Sequence, residues 1–326
     1  MHVGQVISVS VTLEGATQAD TTREGKTRVG TVAVVAHRKK TLGGGLDELR
    51  KLVTDEGVED LVWYEVKKSK KAPKKARKAL KAGAEMVFVW GGDGMVQHCV
   101  DALAGSNAVL AIVPAGTANM LASNLGIPPD LRAAVRIGFR GRRRRLDLGR
   151  INGEHFAVMA GAGFDGELIN DAKRSLKDRA GRLAYVWTAL KHVRDDTARV
   201  KIWIDGSKWF DGKASCVLLG NVGTITGGIK AFDDARLDDG WLEVGVARAK
   251  GVLQWGRALG RMTLGRSDRS PFVRITRAKA VDVKIGKPLT YELDGGARGK
   301  TTRLKARIAP AAITVCVPEE SVPDGQ

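Results

Sequence analysis

The chain is short of cysteine. Cys99, Cys216 and Cys316 are widely spaced and odd in number, so they offer neither a disulfide framework nor a paired-cysteine metal site, and a reducing, cytoplasmic setting is expected. Aromatic residues make up 5% of the 326 positions, which leaves few platforms for stacking nucleobases. No apolar run reaches the roughly 18 residues of a membrane-spanning helix. Met1 to Lys26 lacks a basic start followed by an apolar block, so no secretory leader is expected, and residues 1–27 read as a loose extension. The Gly-x4-Gly-Lys-Thr phosphate loop is also missing: Gly25-Lys26-Thr27 would need a glycine where Asp20 stands.

Acidic residues are outnumbered. Lys and Arg total 54 against 36 Asp and Glu, a formal net charge of +18 that draws the protein toward polyanions. The cations cluster in Lys67 to Lys81 and in Arg140 with Arg142 to Arg145. Such blocks serve as solvated helix faces or as footprints for an anionic surface. Nucleic acid and anionic membrane are both candidate partners, and no nucleic-acid-binding motif accompanies the blocks.

From Gly30 onward, strand and helix patterns alternate. Thr31–Val35, Leu61–Val66, Met86–Trp90 and Ala108–Val113 read as buried strands. Helical spacing follows at Leu46, Leu49, Leu52 and Val53, from Pro73 to about Ala82, at Val96, Cys99, Val100 and Leu103, and from Thr117 to Leu125. This predicts an α/β domain with a parallel sheet over residues 28–145. After about Arg145 the pattern changes to strand-like runs between Gly and Asp turns: Phe156–Met159, Val200–Ile204, Ala214–Leu219, Leu242–Val246, Val273–Ile275, Val281–Ile285 and Ile313–Val317. Arg182–Val193 and Val252–Leu264 are the helical exceptions. Residues 146–326 are therefore expected to form a mainly antiparallel, β-sandwich-like second domain, with the last residues packing back on the first.

The strongest local signal is Gly91-Gly92-Asp93-Gly94-Met95, between a buried strand and a helix. Glycines let backbone pass close to phosphate oxygens, and helix N-terminal N–H groups attract anions. Asp93 stands where it could reach a metal or a ribose, or simply cap the turn. The next strand ends in Pro114-Ala115-Gly116-Thr117-Ala118-Asn119, with Thr117 as the expected N-cap. Two such turns on adjacent parallel strands form one crevice at the carboxyl edge of a sheet, where ligands bind. Gly161-Ala162-Gly163-Phe164-Asp165-Gly166 matches the dinucleotide fingerprint. No second strand with an acidic end follows at the right spacing, so a glycine-rich junction turn is the better account.

With Leu146-Asp147-Leu148-Gly149, Leu237-Asp238-Asp239-Gly240-Trp241 and Glu292-Leu293-Asp294-Gly295 added in order, the chain resembles the diacylglycerol kinase catalytic-domain family, the bacterial soluble lipid kinases, from about Gly30 to Pro318. Its first domain also resembles those of NAD kinases and phosphofructokinases. The resemblance implies ATP in the cleft between domains, contacted by Gly91, Gly92, Asp93, Gly94, Met95, Gly116, Thr117 and Asn119. His37, Arg38, Lys39, Lys40 and Thr41 occupy the place of the family's first nucleotide loop. It implies Asp294 as the residue that orients or deprotonates a lipid hydroxyl, joined by Asp147 and Asp93 through Mg2+ and water. A second Mg2+ would be held by Asp239 and the carbonyls of Arg236 and Trp241. The implied substrate is diacylglycerol or a related membrane lipid, met by peripheral association with the inner membrane face, and a homodimer through the second domain is compatible. Two positions depart from the family pattern: Gly296 replaces the usual Glu and Met95 the usual Thr. An NAD kinase should carry an Asn-Glu pair, which this chain lacks; a catalytically silent nucleotide or lipid binder is the other alternative.

Overall fold

The computed structural model describes residues 30–163, 197–225, 229–232, 234–249, 254, 255, 257, 261 and 270–319. The first part runs β1 (Val32–His37), α1 (Gly45–Asp55), β2 (Leu61–Val66), α2 (Ala72–Lys81), β3 (Met86–Gly91), α3 (Asp93–Leu103), β4 (Val109–Pro114), α4 (Met120–Asn124) and α5 (Leu131–Arg140). β2, β1, β3 and β4 are parallel neighbours in that order. Central β3 is buried along its whole length, as a strand covered on both faces must be, and its sequence MVFVWG is accordingly apolar throughout. α2 turns Ala72, Ala76 and Ala79 inward and Lys74, Arg77, Lys78 and Lys81 outward, so much of the first basic block is the wet face of an amphipathic helix. Sequence reading passed over α5. Its N-cap, Asp130, accepts the Ala133 N–H at 2.7 Å, directly after Pro128 and Pro129.

The second part holds β5 (Arg142–Ile151), β6 (Glu154–Phe156), β7 (Met159–Ala162), β8 (Ala198–Ile204), β9 (Ser207–Ala214), β10 (Cys216–Gly220), β11 (Thr224–Ile225), β12 (Ile229–Lys230), β13 (Leu242–Ala247), β14 (Val273–Ala278), β15 (Ala280–Leu293) and β16 (Gly296–Val317). Its pairings are antiparallel. β16 is long because it serves both parts. It pairs with β15 at its start, and its end lies parallel to β4, Thr314 facing Val109, while it is antiparallel to β5. The fold is thus an α/β unit with a parallel sheet joined to an antiparallel, β-sandwich-like unit. Two apolar cores match them, one around β1, β3 and β4 and one around β8, β13 and β15.

Several expectations need correction. The run Phe156–Met159 is not one strand: Phe156 ends β6, Ala157 and Val158 bend, and Met159 starts β7. Gly161 lies inside β7 between β10 and β15 rather than in a turn, and only Gly163, at φ +92°, turns the chain; Phe164, Asp165 and Gly166 lie outside the described residues. Arg182–Val193 also lies outside them, whereas Gln254, Trp255, Arg257 and Arg261 of the other expected helix are helical. Three arginines of the second basic block have partners within the chain. Arg143 donates to the Gly138 and Gly141 carbonyls, Arg144 pairs with Asp238 at 2.6 Å, and Arg145 donates to the Ala311 carbonyl.

Candidate active site

Three turns meet at the carboxyl edge of the parallel sheet, after β1, β3 and β4. The last two touch: a Cβ built on Gly92 would lie 3.0 Å from the Cα of Gly116. Only two glycines allow that approach. The turns are also tied chemically. The Asp93 carboxylate accepts the N–H of Met120 at 2.5 Å and of Asn119 at 3.1 Å, so it caps α4 rather than its own helix. Thr117 is exposed and is not the N-cap. That position falls to Asn119, held left-handed at φ 47°, whose side-chain oxygen accepts the Gly116 N–H at 2.9 Å. The Met95 N–H bonds to the Gly92 carbonyl and its side chain is buried against Gly91, so Met95 offers a ligand nothing directly. The N–H groups of Asp93 and Gly94, in the first turn of α3, precede any intrahelical bond.

The first loop adjoins these turns through Trp90, whose indole N–H donates to the Lys40 carbonyl at 3.1 Å. Arg38 points the other way, to Glu65 on β2 at 2.6 Å, leaving Lys39 and Lys40 as the loop's cations. Their charge and partial burial hold the His37 imidazole below its ordinary pKa, burial being the larger cause. Thr41 is exposed beside them.

Asp294 and Gly295 form the two-residue turn between β15 and β16, both with positive φ, 45° and 74°. An Asp-Gly pair suits that mirror-image turn. The Asp294 side chain does not face solvent, being only 3% exposed. It accepts three backbone N–H groups at 2.9 Å each: Oδ2 from Ala157, Oδ1 from Val158 and Met159. These donors break the run between β6 and β7, because they serve a carboxylate instead of a neighbouring strand. Burial pushes the Asp294 carboxyl up to about 6; the three N–H groups oppose this, and the nearby Asp93 charge adds to it. Asp93, Gln97, Asn119, Val158 and Asp294 line one small cleft between the two parts, about 10 Å³ in volume.

Asp147 does not line that cleft. It is 5% exposed, with Oδ2 on the Gly240 N–H and Oδ1 on the Ala311 N–H, both at 2.7 Å. It therefore pins the Asp238–Asp239 turn and the irregularity in β16 to β5. Asp239 lies 3.8 Å from Arg277, which is held on Glu243 at 2.6 Å, and accepts the Trp241 N–H at 3.1 Å.

Sequence reasoning missed a clamp. Arg298 on β16 pairs with Glu154 on β6 at 2.9 Å and donates to Gln97 on α3 at 2.9 Å; Gln97 in turn donates to the His155 carbonyl at 2.8 Å. The guanidinium packs where a side chain at Gly296 would start, 3.0 Å from a Cβ built there. Arg298 thus joins the strand leaving the Asp294 turn to the helix that starts at Asp93. Only a long-range contact reveals it.

Comparison with known proteins agrees with this layout. Residues 34–151 match the family description "Diacylglycerol kinase catalytic domain", and residues 158–317 match "YegS C-terminal NAD kinase beta sandwich-like domain". The chain is 30% identical to a Klebsiella pneumoniae (strain 342) protein named "Probable lipid kinase YegS-like", over 84% of this chain and 92% of that one. It is 28% identical to a Bacillus subtilis (strain 168) protein named "Diacylglycerol kinase", over 68% of this chain and 74% of that one. The crystal structure of a diacylglycerol kinase from Bacillus anthracis str. Sterne superposes with a TM-score of 0.70 at 21% identity, covering 90% of this chain and 98% of that one, a likeness of fold.

Proposed function

The chain belongs to the diacylglycerol kinase catalytic-domain family, and we propose that it transfers the terminal phosphoryl group of Mg–ATP to the hydroxyl of diacylglycerol or a related lipid, giving a phosphatidic-acid-type product. One observation carries this reading: the Asp294 carboxylate, from the antiparallel unit, and the Asp93 turn, from the parallel sheet, face the same cleft.

The glycine turns supply backbone N–H groups and a close approach for phosphate oxygens, with Lys39 and Lys40 as added positive charge. Asp294 accepts the proton of the lipid hydroxyl. Oδ2 is the receiving atom, because it bears one N–H bond while Oδ1 bears two. A carboxyl raised to about 6 is mostly ionised at neutral pH yet more basic than an ordinary aspartate, which suits a general base. Burial between two units keeps water from competing for the phosphoryl group.

Mg2+ fits the residues present. Two carboxylates share one cleft, and the upward push of Asp93 on Asp294 marks a like-charge conflict that a divalent cation relieves. Among the described residues no group of three or more His, Cys, Asp or Glu forms an all-protein cage, and Mg2+ needs none, since it keeps waters and substrate phosphates. When bound, it supplies positive charge to the transferring group. Asp93 would hold it, through water, leaving Asp294 free to accept the hydroxyl proton.

No described helix is long and apolar enough to cross a membrane. The proposed setting is cytoplasmic, with the lipid met at a membrane surface. The test is transfer from labelled ATP to a panel of lipid alcohols in mixed micelles. Tight ATP binding with no labelled lipid across the panel would overturn the reading and favour a silent binder.

A further inference from the structure

A broad surface cavity lies remote from the candidate active site. It holds about 670 Å³ on the solvent face of β8, β15, β16 and β5. Strand alternation builds this face. Arg303, Lys305 and Arg307 are exposed while the alternating Leu304, Ala306 and Ile308 are buried. Register then gathers the neighbours. Lys305 lies across from Asp282, which lies across from Trp203, and Arg307 lies across from Arg150.

The face is strongly positive. Asp282 is the cavity's one acidic residue, and Arg303 neutralises it with an Nε bond at 2.9 Å. Arg150, Lys284, Lys305 and Arg307 make no carboxylate ion pair among the described residues. Lys284 lies over the Trp203 ring at 5.2 Å, placing an aromatic among the cations.

We propose that this face docks on an anionic lipid bilayer, with phosphate head groups seated among Arg150, Lys284, Lys305 and Arg307. The choice of partner rests on the lipid-kinase reading; the surface itself does not. Charge complementarity selects an anionic partner. A single ring, already covered by Lys284, gives no row of platforms for nucleobases, whereas Trp with Lys and Arg is the usual equipment of a bilayer interface. The competing basic surfaces are weaker candidates. Arg144 is neutralised by Asp238, and the α2 lysines lie on a convex helix. β15 and β16 carry the cations at one end and the Asp294-Gly295 turn at the other, so a docked bilayer is held in fixed relation to the catalytic turn.

The test is co-sedimentation of the full chain with phosphatidylcholine vesicles, with and without phosphatidylglycerol, in the absence of ATP and lipid substrate. Lys284→Glu with Lys305→Glu should lower binding to the anionic vesicles at least about 100-fold, since each unit of charge near such a surface is worth roughly 5-fold. Lys74→Glu with Lys75→Glu should lower it far less. Transfer to detergent-dispersed lipid should survive the first pair. Unchanged vesicle binding in the first pair overturns the proposal. So does an equal or larger loss in the α2 pair, a loss confined to duplex DNA binding, or full competition by free inorganic phosphate. If the wild type phosphorylates no lipid yet shows the vesicle pattern, the docking surface stands and the kinase reading falls.

Discussion

The Asp93 carboxylate, in the first turn of α3, bonds to the Met120 N–H that opens α4. One side chain thus fixes two glycine turns against each other. An Asp93→Asn substitution would aim an amide N–H2 at one of the two N–H donors. It should cost about 1–3 kcal/mol of stability and raise the KM for Mg–ATP at least tenfold. Urea unfolding and steady-state kinetics measure both, and a variant with normal KM and stability would refute the role.

The contact of Gly92 with Gly116 predicts a second effect. A Cβ on Gly116 would overlap the Gly92 Cα and meet the Asn119 Oδ1. Gly116→Ala should therefore cost about 1–3 kcal/mol and weaken ATP binding, read by calorimetry, while Gly94→Ala, with open space at its Cβ, should be far milder.

Asp294→Asn should reduce kcat by three orders of magnitude or more and leave ATP affinity within a few-fold. In the wild type, log kcat/KM should climb with pH and level off above about 6, as the carboxyl ionises. Stability should run the other way. A folded pKa of about 6, against an unfolded value of 3.8, means the folded state holds the proton longer. Folding stability is then greatest below the unfolded pKa and falls as pH rises through the window up to about 6, by about 3 kcal/mol. The Asn variant should lack that slope. A wild-type stability curve that rises across the window would contradict the assignment.

Asp147→Asn should show first in stability. It leaves either the Gly240 or the Ala311 N–H facing a donor, so the melting temperature should drop by several degrees. Lost turnover at an unchanged melting temperature would return Asp147 to the catalytic set.

Arg298 acts through the groups it positions. Arg298→Ala should lower kcat with little change in the KM for ATP, because it frees the strand after Asp294 from Gln97 and Glu154. Arg298→Lys should recover part of the loss. Equal effects on kcat and KM, or no recovery by lysine, would mark Arg298 as a general stabiliser only.

Much of this was legible along the chain. The strands of the parallel sheet follow from β-branched and apolar runs and α1 to α3 from helical spacing, whereas the sequence pattern marks only the start of β15, Val281–Ile285, and the end of β16, Ile313–Val317. The Gly-Gly-Asp-Gly and Pro-Ala-Gly-Thr-Ala-Asn turns were readable as one crevice because adjacent parallel strands must end at the same edge.

Sequence alone determined the periodicities, the turn chemistry and the surplus of positive charge, all of which are properties of neighbours in the chain. Only the tertiary structure decided where long-range partners act. It sent the Asp93 carboxylate to α4 instead of its own turn, turned Ala157, Val158 and Met159 toward Asp294 and so broke an apparent strand, and gathered Lys284, Lys305 and Arg307 on one open face. Each outcome is set by which donors and charges folding brings within about 3 Å, and linear spacing carries no record of that.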